Sequence, residues 1–275
     1  MMKLPTNLTQ PFFAYGIFKP FEISHFQIKD FVKETEEITI TGRLLVRDGL
    51  PIFDSRGGES VSGTLIYFNS DKQSEAYQRI SEIEPDKHYY WENHDHNGQL
   101  INILYGKSPE KGSEFLDEQK WNSWEDPLFN SALDVVKETL RANLKFNKNL
   151  QPMFRLQMGY LLLWSSIERY VSLRYHLADG AYKKIMNLAE ELSFENALKN
   201  VVNRKDKVYR ADKPIENYEL DNTDAKKSLE YYYQIRSNIT HRGKGINKDH
   251  VKVQKSLSEL LEIFNQVLES AKKIA

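Results

Sequence analysis

Near the end of the chain, the stretch QIRSNITHRGKG (residues 234–245) places an arginine and a histidine five positions apart, at Arg236 and His241. An imidazole can both give and take a proton near neutral pH, and a guanidinium can pair with negative charge. On an ideal helix, five residues separate two side chains by about 140°. The pair can therefore act on one small ligand only if the last turn distorts or if a second chain supplies half of the site.

The surrounding helix puts one of these residues in an unusual place. From about 224 to 242 the spacing predicts one broad apolar face, and Arg236 falls inside it. The apolar members are Leu229, Tyr232, Tyr233, Ile235 and Ile239. A buried charge without a partner is too costly to keep, so Arg236 needs a partner or a function. His241 and Arg242 have another explanation, because cations oppose the helix dipole near a C-terminus and Gly243 would end the helix.

The N-terminal half contains a segment whose backbone could hold a ligand. The stretch FFAYGIFKP (residues 12–20) is predicted as a strand that runs into a tight turn, where Gly16 lets the backbone approach a bound molecule closely. Successive amides of such a turn can receive a carboxylate or a phosphate.

Two histidines of a predicted strand raise the question of a metal. His94 and His96 alternate along the strand and could face the same ion. No third ligand is identifiable beside them, and they directly precede a turn. We therefore expect solvated side chains there and no metal.

The composition limits the class of protein. The 275 residues suffice for two domains, 40% hydrophobic and 28% charged residues are typical of a globular chain, and no cysteine is present for disulfides or thiolate metal sites. With a formal net charge of −1, nucleic acid would have to be held by a local basic patch. The N-terminus lacks a signal-peptide pattern and no apolar run approaches the roughly 18 residues of a membrane span, so we expect a cytoplasmic protein without a membrane partner.

Residues up to about 110 are predicted as strands and turns around one helix. Alternating β-branched and aromatic residues indicate the strands, and Asn97-Gly98 is typical of a type I′ hairpin turn. The predicted strands are EITITGRLLV (37–46), SVSGTLIYF (60–68) and the two arms of KHYYWENHDHNGQLINILYG (87–106). The predicted turns are DGLP (48–51) and RGG (56–58), and the predicted helix is SDKQSEAYQRISEI (70–83), with a serine or aspartate cap.

From about Asp126 the hydrophobic period becomes helical. Asp126 as a cap and Pro127 at the first helical position predict where the first helix begins. Two later helices carry apolar stripes that indicate the core of a helical bundle. The stripes are Met153, Leu156, Tyr160, Leu163, Ile167, Tyr170 and Val171, and Leu257, Leu260, Leu261, Phe264, Val267 and Leu268. The predicted boundaries are 1–110 for a β domain, 111–125 for a linker and 126–275 for the helical domain.

The order of elements over roughly residues 11 to 107 resembles the gamma-glutamylcyclotransferase-like family. Tyr15-Gly16-Ile17-Phe18 matches the turn that cradles the substrate's α-carboxylate in that family. Glu84 falls at the position of the family's acid/base glutamate, and Tyr90 matches a tyrosine that usually opens the next strand. The resemblance implies a small mixed β-barrel with a small-molecule ligand.

In such a site the substrate's α-amine must lose a proton before it attacks its own γ-carbonyl to close 5-oxoproline. Glu84, in a partly desolvated pocket that raises its pKa, would accept this proton. Ser81 and Pro85 depart from the family pattern, which has aspartate and glycine there. Two interpretations of Glu84 are open: the base of a cyclotransferase, or a solvated helix-end carboxylate on an inactive barrel of the same shape.

The helical half, about residues 126 to 275, resembles a HEPN domain. The hallmark of that family is an arginine, four to six residues and then a histidine, late in a helix of a small bundle and often with an asparagine nearby. RSNITH (236–241) fits this hallmark. LLLWSSIERYVSLRY (161–175) resembles an earlier bundle helix, in which Glu168 matches a common acidic residue. Domains with this motif are commonly metal-independent endoribonucleases that act as homodimers.

The HEPN resemblance also implies roles for three residues. His241 would transfer protons while a ribose 2′-hydroxyl attacks its neighbouring phosphate, and Arg236 would stabilise charge on the phosphorane-like transition state. Asn238 would position the phosphate or His241. Two motifs that meet across a two-fold axis would resolve the angular problem, and no metal or other cofactor is required.

A charged stretch, NRKDKVYRADK (203–213), could add contacts to RNA. Cations pair with phosphates, and Tyr209 could stack on a base. The basic candidates are Arg204, Lys205, Lys207 and Arg210. The alternative is an ordinary solvated loop, in which Asp206 and Asp212 dilute the positive charge.

The sequence predicts a two-domain α+β protein, and the two resemblances imply that a HEPN-like bundle cleaves RNA while a cyclotransferase-like barrel senses or regulates, as in a toxin or phage-defence effector. One alternative is a γ-glutamyl cyclotransferase whose bundle serves for dimerisation. Another is a non-enzymatic module that binds a nucleotide or a protein. The expected partners are RNA, a small-molecule ligand of the barrel and a second copy of the chain.

Overall fold

The computed structural model describes residues 2–142, 151–175, 180–242 and 249–274. Helices and strands both contribute, which confirms the α+β class. The chain divides into two compact units, the first mainly Met1–Asp126 and the second mainly Pro127–Ser172 with Asp179–Lys273. Within the described ranges, no helix is long and apolar enough to cross a lipid bilayer.

The first unit consists mainly of one six-stranded sheet and one α-helix. Its elements are β1 (Phe12–Ala14), β2 (Val32–Arg47), β3 (Leu50–Phe68), α1 (Gln73–Ile83), β4 (Tyr89–His96), β5 (Gln99–Gly106) and β6 (Glu114–Phe115). The strands lie in the order β4-β5-β1-β3-β2-β6. The pairing of β1 with β5 is parallel and the other pairings are antiparallel, so the sheet is mixed. The sheet curls into a half-barrel in which the end strands β4 and β6 are not paired with each other.

Two tight turns set the register of the long hairpins. Asp48 and Gly49 join β2 to β3 with φ angles of 50° and 72°, and Asn97 and Gly98 join β4 to β5 with φ angles of 54° and 85°. Both central residues of a type I′ turn have a left-handed backbone, which aspartate, asparagine and glycine adopt at little cost. The turns predicted at these two positions are confirmed.

The predicted turn at RGG is wrong. Arg56, Gly57 and Gly58 lie within β3, and β2 shifts register opposite them, between Gly42 and Arg43. A Cβ on Gly57 would lie 2.2 Å from the Cβ of Arg43, so this close approach requires a glycine. The glycine pair marks an irregularity within a long ribbon rather than the end of a strand.

Residues 111–125, predicted as a linker, are part of the first unit. Glu114–Phe115 form the edge strand β6 against β2. Gln119 is buried, and its side-chain amide accepts a hydrogen bond from the Leu44 amide at 2.5 Å and donates one to the Leu44 carbonyl at 3.1 Å. A side chain thus continues the pairing of β2 after β6 ends, and the first unit extends to Asp126.

Helices form most of the second unit. They are α2 (Ser131–Arg141), α3 (Gln151–Arg174), α4 (Ala181–Ala189), α5 (Leu192–Val201), α6 (Ala225–Arg242) and α7 (His250–Ile274). All the apolar positions predicted for the stripes of α3 and α7 are buried. The first helix begins later than predicted, because Pro127–Phe129 form a 3-10 turn and α2 begins at Ser131. Gly243, predicted to end α6, lies outside the described residues.

The second unit is not all helical, which corrects the predicted all-α bundle. Strands β7 (Asp206–Tyr209) and β8 (Asn217–Leu220) form an antiparallel hairpin between α5 and α6. Val208 and Leu220 are the only buried residues of the two strands. With one buried residue in each strand of four, the pattern of apolar and polar residues is too short to distinguish a hairpin from a loop in the sequence. Four residues of the charged stretch at 203–213, Asp206–Tyr209, are therefore a folded strand.

Candidate functional site

Arg236 has the partner that its apolar surroundings require. Its guanidinium donates a hydrogen bond to Oε1 of Glu168 on α3 at 3.2 Å, and its Cζ lies 5.5 Å from the ring centroid of Tyr233. The side chains of Arg236 and Glu168 are 25% and 30% exposed. The ion pair therefore lies at the edge of the contact between α3 and α6, where solvent and ligands can reach it. Two residues suggested by separate segments of the sequence are in contact.

His241 lies on a different face of α6. It is exposed and lines an open cleft with a volume of about 470 Å³. The other described residues that line it are Arg210, Asp212, Gln234, Ser237 and Asn238. Arg236 is not among the described residues that line this cleft. A single chain thus separates the guanidinium from the imidazole, as expected from their spacing on a regular helix.

Asn238 holds the β7–β8 hairpin against α6. Its amide oxygen accepts hydrogen bonds from the Ala211 amide at 3.1 Å and from Gln234 Nε2 at 2.8 Å, and its amide nitrogen donates to the Tyr209 carbonyl at 2.9 Å. Both ends of the side chain are occupied. One N–H of the amide has no acceptor among the described residues, so it is left for the role predicted for Asn238, to position a phosphate or His241.

Arg204 is the centre of a polar network that joins several elements of the second unit. Its guanidinium holds Glu259 of α7 with two hydrogen bonds, of 2.7 and 2.9 Å, and Asp206 of β7 with one of 2.5 Å. The Tyr231 hydroxyl donates to Asp206 at 2.9 Å, and the Tyr232 hydroxyl to Glu259 at 3.2 Å. Arg204 was predicted to contact RNA, but in this structure its charge is neutralised by two carboxylates.

The other basic residues predicted to contact RNA differ in their availability. Lys207 lies 2.5 Å from Glu219, and Arg210 donates to Asp212 at 2.9 Å. Lys205 is exposed, and no carboxylate of the described chain pairs with it. Neutralisation by neighbouring acids leaves Lys205 as the cation of this group best placed to meet a phosphate.

In the first unit, Glu84 is a buried carboxyl directly after α1. It is 8% exposed, and its Oε2 atom has no hydrogen-bond partner among the described residues. Burial raises the pKa of this carboxyl to about 8. An acid with this pKa is largely protonated at neutral pH and can exchange a proton there. Glu84 is therefore not the solvated helix-end carboxylate of the alternative interpretation.

Glu84 lines a small cavity at the turn that follows β1. The cavity has a volume of about 20 Å³, enough for one water molecule. Its lining includes the predicted segment Tyr15, Gly16, Ile17 and Phe18, together with Phe12, Ala14, Leu50, Pro51, Tyr89 and Leu104. A Cβ on Gly16 would lie 2.7 Å from Cγ of Pro51, so this approach of the turn to β3 requires a glycine. A ligand larger than water would have to widen the cavity.

Two backbone amides of this turn are not used by the fold. Ile17 and Phe18 are each 2% exposed, and neither amide donates a hydrogen bond to another backbone group in the part of the chain that the structure describes. The Tyr15 hydroxyl, by contrast, donates to the Leu104 carbonyl at 2.5 Å. Unused amides beside a cavity are suited to receive an anionic group.

The tyrosine of the fourth strand that lines the cavity is Tyr89, which corrects the prediction for Tyr90. The Tyr89 hydroxyl is buried and donates to the Pro51 carbonyl at 2.9 Å. Tyr90 is 39% exposed, and its ring packs edge-on against Tyr105 with centroids 5.8 Å apart. Successive residues of a strand point to opposite faces, so an error of one position places the side chain on the wrong face.

The two histidines near the Asn97-Gly98 turn have local partners. Nδ1 of His94 lies 3.1 Å from the Tyr105 hydroxyl, and Nε2 of His96 lies 3.3 Å from the amide nitrogen of Asn97. Among the described residues, no three or more histidine, cysteine, aspartate or glutamate side chains lie together so that they could hold a metal ion.

No protein-family model, curated protein or solved structure matches this chain. The family resemblances of the two halves, and the activities that they imply, therefore stay proposals.

The buried Glu84 predicts a pH dependence of stability. Because the folded-state pKa of about 8 lies above the ordinary value of 4.5, the folded chain keeps a proton that the unfolded chain releases between these values. The stabilising contribution of the neutral carboxyl is complete below pH 4.5 and is lost as the pH rises through 8. The loss is at most about 5 kcal/mol, at roughly 1.4 kcal/mol for each pKa unit.

Urea denaturation of wild type and Glu84→Gln at several pH values measures this effect. The glutamine does not titrate, so the wild-type free energy of unfolding should fall relative to that of the variant from about pH 5 to pH 8 and then level off. The control is Glu82→Gln, since Glu82 is half-buried and pairs with Arg79 at 3.6 Å. Parallel curves for wild type and Glu84→Gln would contradict a neutral, buried carboxyl.

Proposed function

We propose that the second unit is a metal-independent endoribonuclease of the HEPN type and that the first unit is a sensing or regulatory module. The observation that carries this proposal is the Arg236–Glu168 ion pair at 3.2 Å, which joins two residues that the HEPN resemblance places on separate helices. Among the described residues, Glu168 is the only hydrogen-bond acceptor for the Arg236 side chain. The partly exposed guanidinium therefore retains donors for a phosphate.

The proposed reaction is a transfer within the RNA strand. The ribose 2′-oxygen attacks the adjacent phosphorus and loses its proton to a base, while the bond from phosphorus to the 5′-oxygen breaks and that oxygen takes up a proton. The products are a 2′,3′-cyclic phosphate end and a 5′-hydroxyl end. His241, exposed on α6, is the group proposed to move protons, and Arg236 would stabilise the negative charge of the transition state.

A second copy of the chain would bring Arg236 and His241 together. One face of α3 carries side chains at three- and four-residue spacing that are exposed or half-buried: Phe154, Met158, Leu161, Ser165 and Glu168. Phe154 is 49% exposed and Met158 is 69% exposed, and the same stripe ends at the residue that holds Arg236. An apolar helix face of this kind is suited to pack against its own copy across a two-fold axis. The proposed homodimer places Arg236 of one chain beside His241 of the other.

RNA cleavage should depend on both residues of the motif. His241→Ala should reduce the rate by roughly two to four orders of magnitude, the usual contribution of general acid–base catalysis. The same change should lower the free energy of unfolding by only about 0.3–1 kcal/mol, because an exposed cation at a helix end contributes little. Arg236→Ala should also abolish cleavage. A labelled RNA and analysis of its ends provide the measurement, which should be insensitive to EDTA and should yield 2′,3′-cyclic phosphates.

Thr240→Ala is the matched control for these variants. Thr240 is exposed on the same turn of α6, and among the described residues its side chain hydrogen-bonds only the Arg236 carbonyl of the same helix. The variant should therefore cut RNA as wild type does. If purified wild type leaves RNA intact, or if His241→Ala cuts it equally well, the nuclease proposal fails. His241 is then only the charged end of a helix.

The proposed dimer predicts a specific effect at Met158. Met158→Asp puts a charge in the centre of the apolar stripe, so light scattering at micromolar concentration should change from twice the monomer mass to the monomer mass. The control is Leu192→Asp on α5, since Leu192 has the same exposure of 69% and should leave the mass unchanged. A monomeric wild type, or a Met158→Asp variant that stays dimeric, would contradict dimerisation through α3.

A cyclotransferase activity of the first unit is the second candidate, and the unpartnered Oε2 of buried Glu84 beside two unused amides favours it. The substrate's α-amine would give a proton to the ionised form of Glu84, a minor fraction at neutral pH, and attack the γ-carbonyl. The γ-amide bond would then break, and the departing amine would take the proton to leave 5-oxoproline. The carboxylate of the substrate would lie at the amides of Ile17 and Phe18.

Glu84→Gln should abolish 5-oxoproline release from γ-glutamyl compounds while the chain stays folded, because the amide keeps the shape of the side chain but is not a base. Glu82→Gln should release 5-oxoproline at the wild-type rate. Chromatographic detection of 5-oxoproline from a panel of γ-glutamyl amines provides the measurement. If wild type releases none from the whole panel, the first unit is a binding module.

A further inference from the structure

A second cavity of the helical unit lies between β7, α6 and the first turn of α7. Its volume is about 130 Å³, similar to the roughly 150 Å³ of cavities that take up a benzene ring. Four buried side chains form an apolar wall: Val208, Ile235, Ile239 and Val253. The remaining lining residues among those described are Tyr209, Asn238, Asp249 and Lys252. A wall of this kind suits a flat aromatic group rather than a sugar or an ion.

The polar residues of this cavity differ in whether the fold already uses them. Both ends of the Asn238 amide are bonded, and Lys252 donates to Asp206 at 3.0 Å and to the Lys207 carbonyl. Tyr209 is 51% exposed, and its hydroxyl makes no hydrogen bond within the described ranges. Its ring is thus available as a surface on which an aromatic ligand can stack.

Asp249 directly precedes α7, where an aspartate would ordinarily cap the helix. Its carbonyl accepts a hydrogen bond from the Val253 amide at 2.8 Å, but its carboxylate accepts none from any described residue. Asp224, which precedes α6 in the same way, does cap its helix and accepts from the Lys227 amide at 3.0 Å. Within the part of the chain that the structure describes, both oxygens of the Asp249 carboxylate are therefore available at the edge of the cavity.

We infer that this cavity binds a guanine base of the RNA substrate, an inference that rests on the proposed nuclease function. The base stacks on Tyr209 and lies against the apolar wall. Guanine presents N1–H and N2–H as adjacent donors, which match the two oxygens of the Asp249 carboxylate. Adenine and cytosine offer an amino group next to an acceptor, and uracil offers one N–H between two carbonyls. Any of these three bases would therefore leave one oxygen of the Asp249 carboxylate unpaired or facing another acceptor.

The cavity adjoins the cleft that contains His241. Asn238 lines both of them, and Tyr209 in the cavity is followed directly by Arg210 in the cleft. A nucleotide whose base occupies the cavity therefore has the cleft within reach of its phosphate. The subsite makes the proposed nuclease selective for a guanine next to the bond that is cut.

Binding of mononucleotides to the full-length chain tests the subsite without any cleavage. Isothermal titration calorimetry with the 5′-monophosphates of guanosine, adenosine, cytidine and uridine should show at least about tenfold tighter binding of GMP, the value of one good bidentate contact. Asp249→Asn should remove this preference. Tyr209→Ala should weaken the binding of GMP by about fivefold or more, through loss of stacking.

Two exposed residues of the same unit provide matched controls. Asp134→Asn on α2 and Tyr182→Ala on α4 change the same residue types outside the cavity and should bind GMP as wild type does. Equal affinity for the four nucleotides, no binding of GMP at millimolar concentration, or an unchanged preference in a folded Asp249→Asn variant would overturn the inference. A chain that prefers GMP but leaves RNA intact supports the guanine subsite and refutes the nuclease, so the two failures are distinguishable.

Discussion

The helical unit depends on the pair of hydrogen bonds by which Arg204 holds Glu259. Arg204 follows α5 and Glu259 lies within α7, so the pair fixes two elements that are distant in sequence. Tyr232 of α6 donates to the same carboxylate, and Tyr160 of α3 donates to the Tyr232 carbonyl at 2.9 Å. The side chains of Arg204 and Glu259 are only 20% and 15% exposed. Removal of one partner from such a pair leaves the other charge poorly solvated, at a cost that approaches the roughly 3–5 kcal/mol of a fully buried pair.

The same network determines where the hairpin lies and therefore which groups are left for chemistry. Burial alone would raise the pKa of Asp206, but hydrogen bonds from Lys252, the Lys207 amide, Tyr231 and Arg204 lower it to about 2. Asp206 is thus ionised at any physiological pH, and β7 stays attached to α6 and α7. The groups that the network does not use are those to which we assign a function. They are His241 in the cleft, Tyr209 and Asp249 at the cavity, and the free face of Arg236.

The first unit follows the opposite principle at Glu84. There the fold buries a carboxyl without giving it a hydrogen-bond partner for Oε2, and the result is a raised pKa rather than an ion pair. A carboxyl in this state lowers the free energy of unfolding as the pH rises. Strained or costly positions of this kind occur most often where a ligand is bound or a reaction takes place.

Sequence reasoning succeeded where a local rule determines the structure. The stripes of α3 and α7 follow the helical period, and Asn97-Gly98 fits a turn that few other pairs can adopt. The need of Arg236 for a partner also followed from its apolar neighbours. The method failed where one position or one distant contact decides the outcome. Tyr89 and Tyr90 are neighbours on one strand and differ only in the face to which the side chain points. The bonds of Arg204 to Glu259 span 55 positions, with no signal in either segment alone.

Because Arg236 and His241 are separate within one chain, the proposed nuclease needs a site that two chains share, and mixing two inactive variants shows whether such a site forms. Arg236→Ala and His241→Ala chains that are dissociated together and allowed to reassociate should form heterodimers in about half of all dimers. Each heterodimer contains one complete site, so the mixture should recover about a quarter of the wild-type rate of RNA cleavage. A mixture as inactive as either variant alone, although heterodimers have formed, would contradict the claim that the two chains share one site.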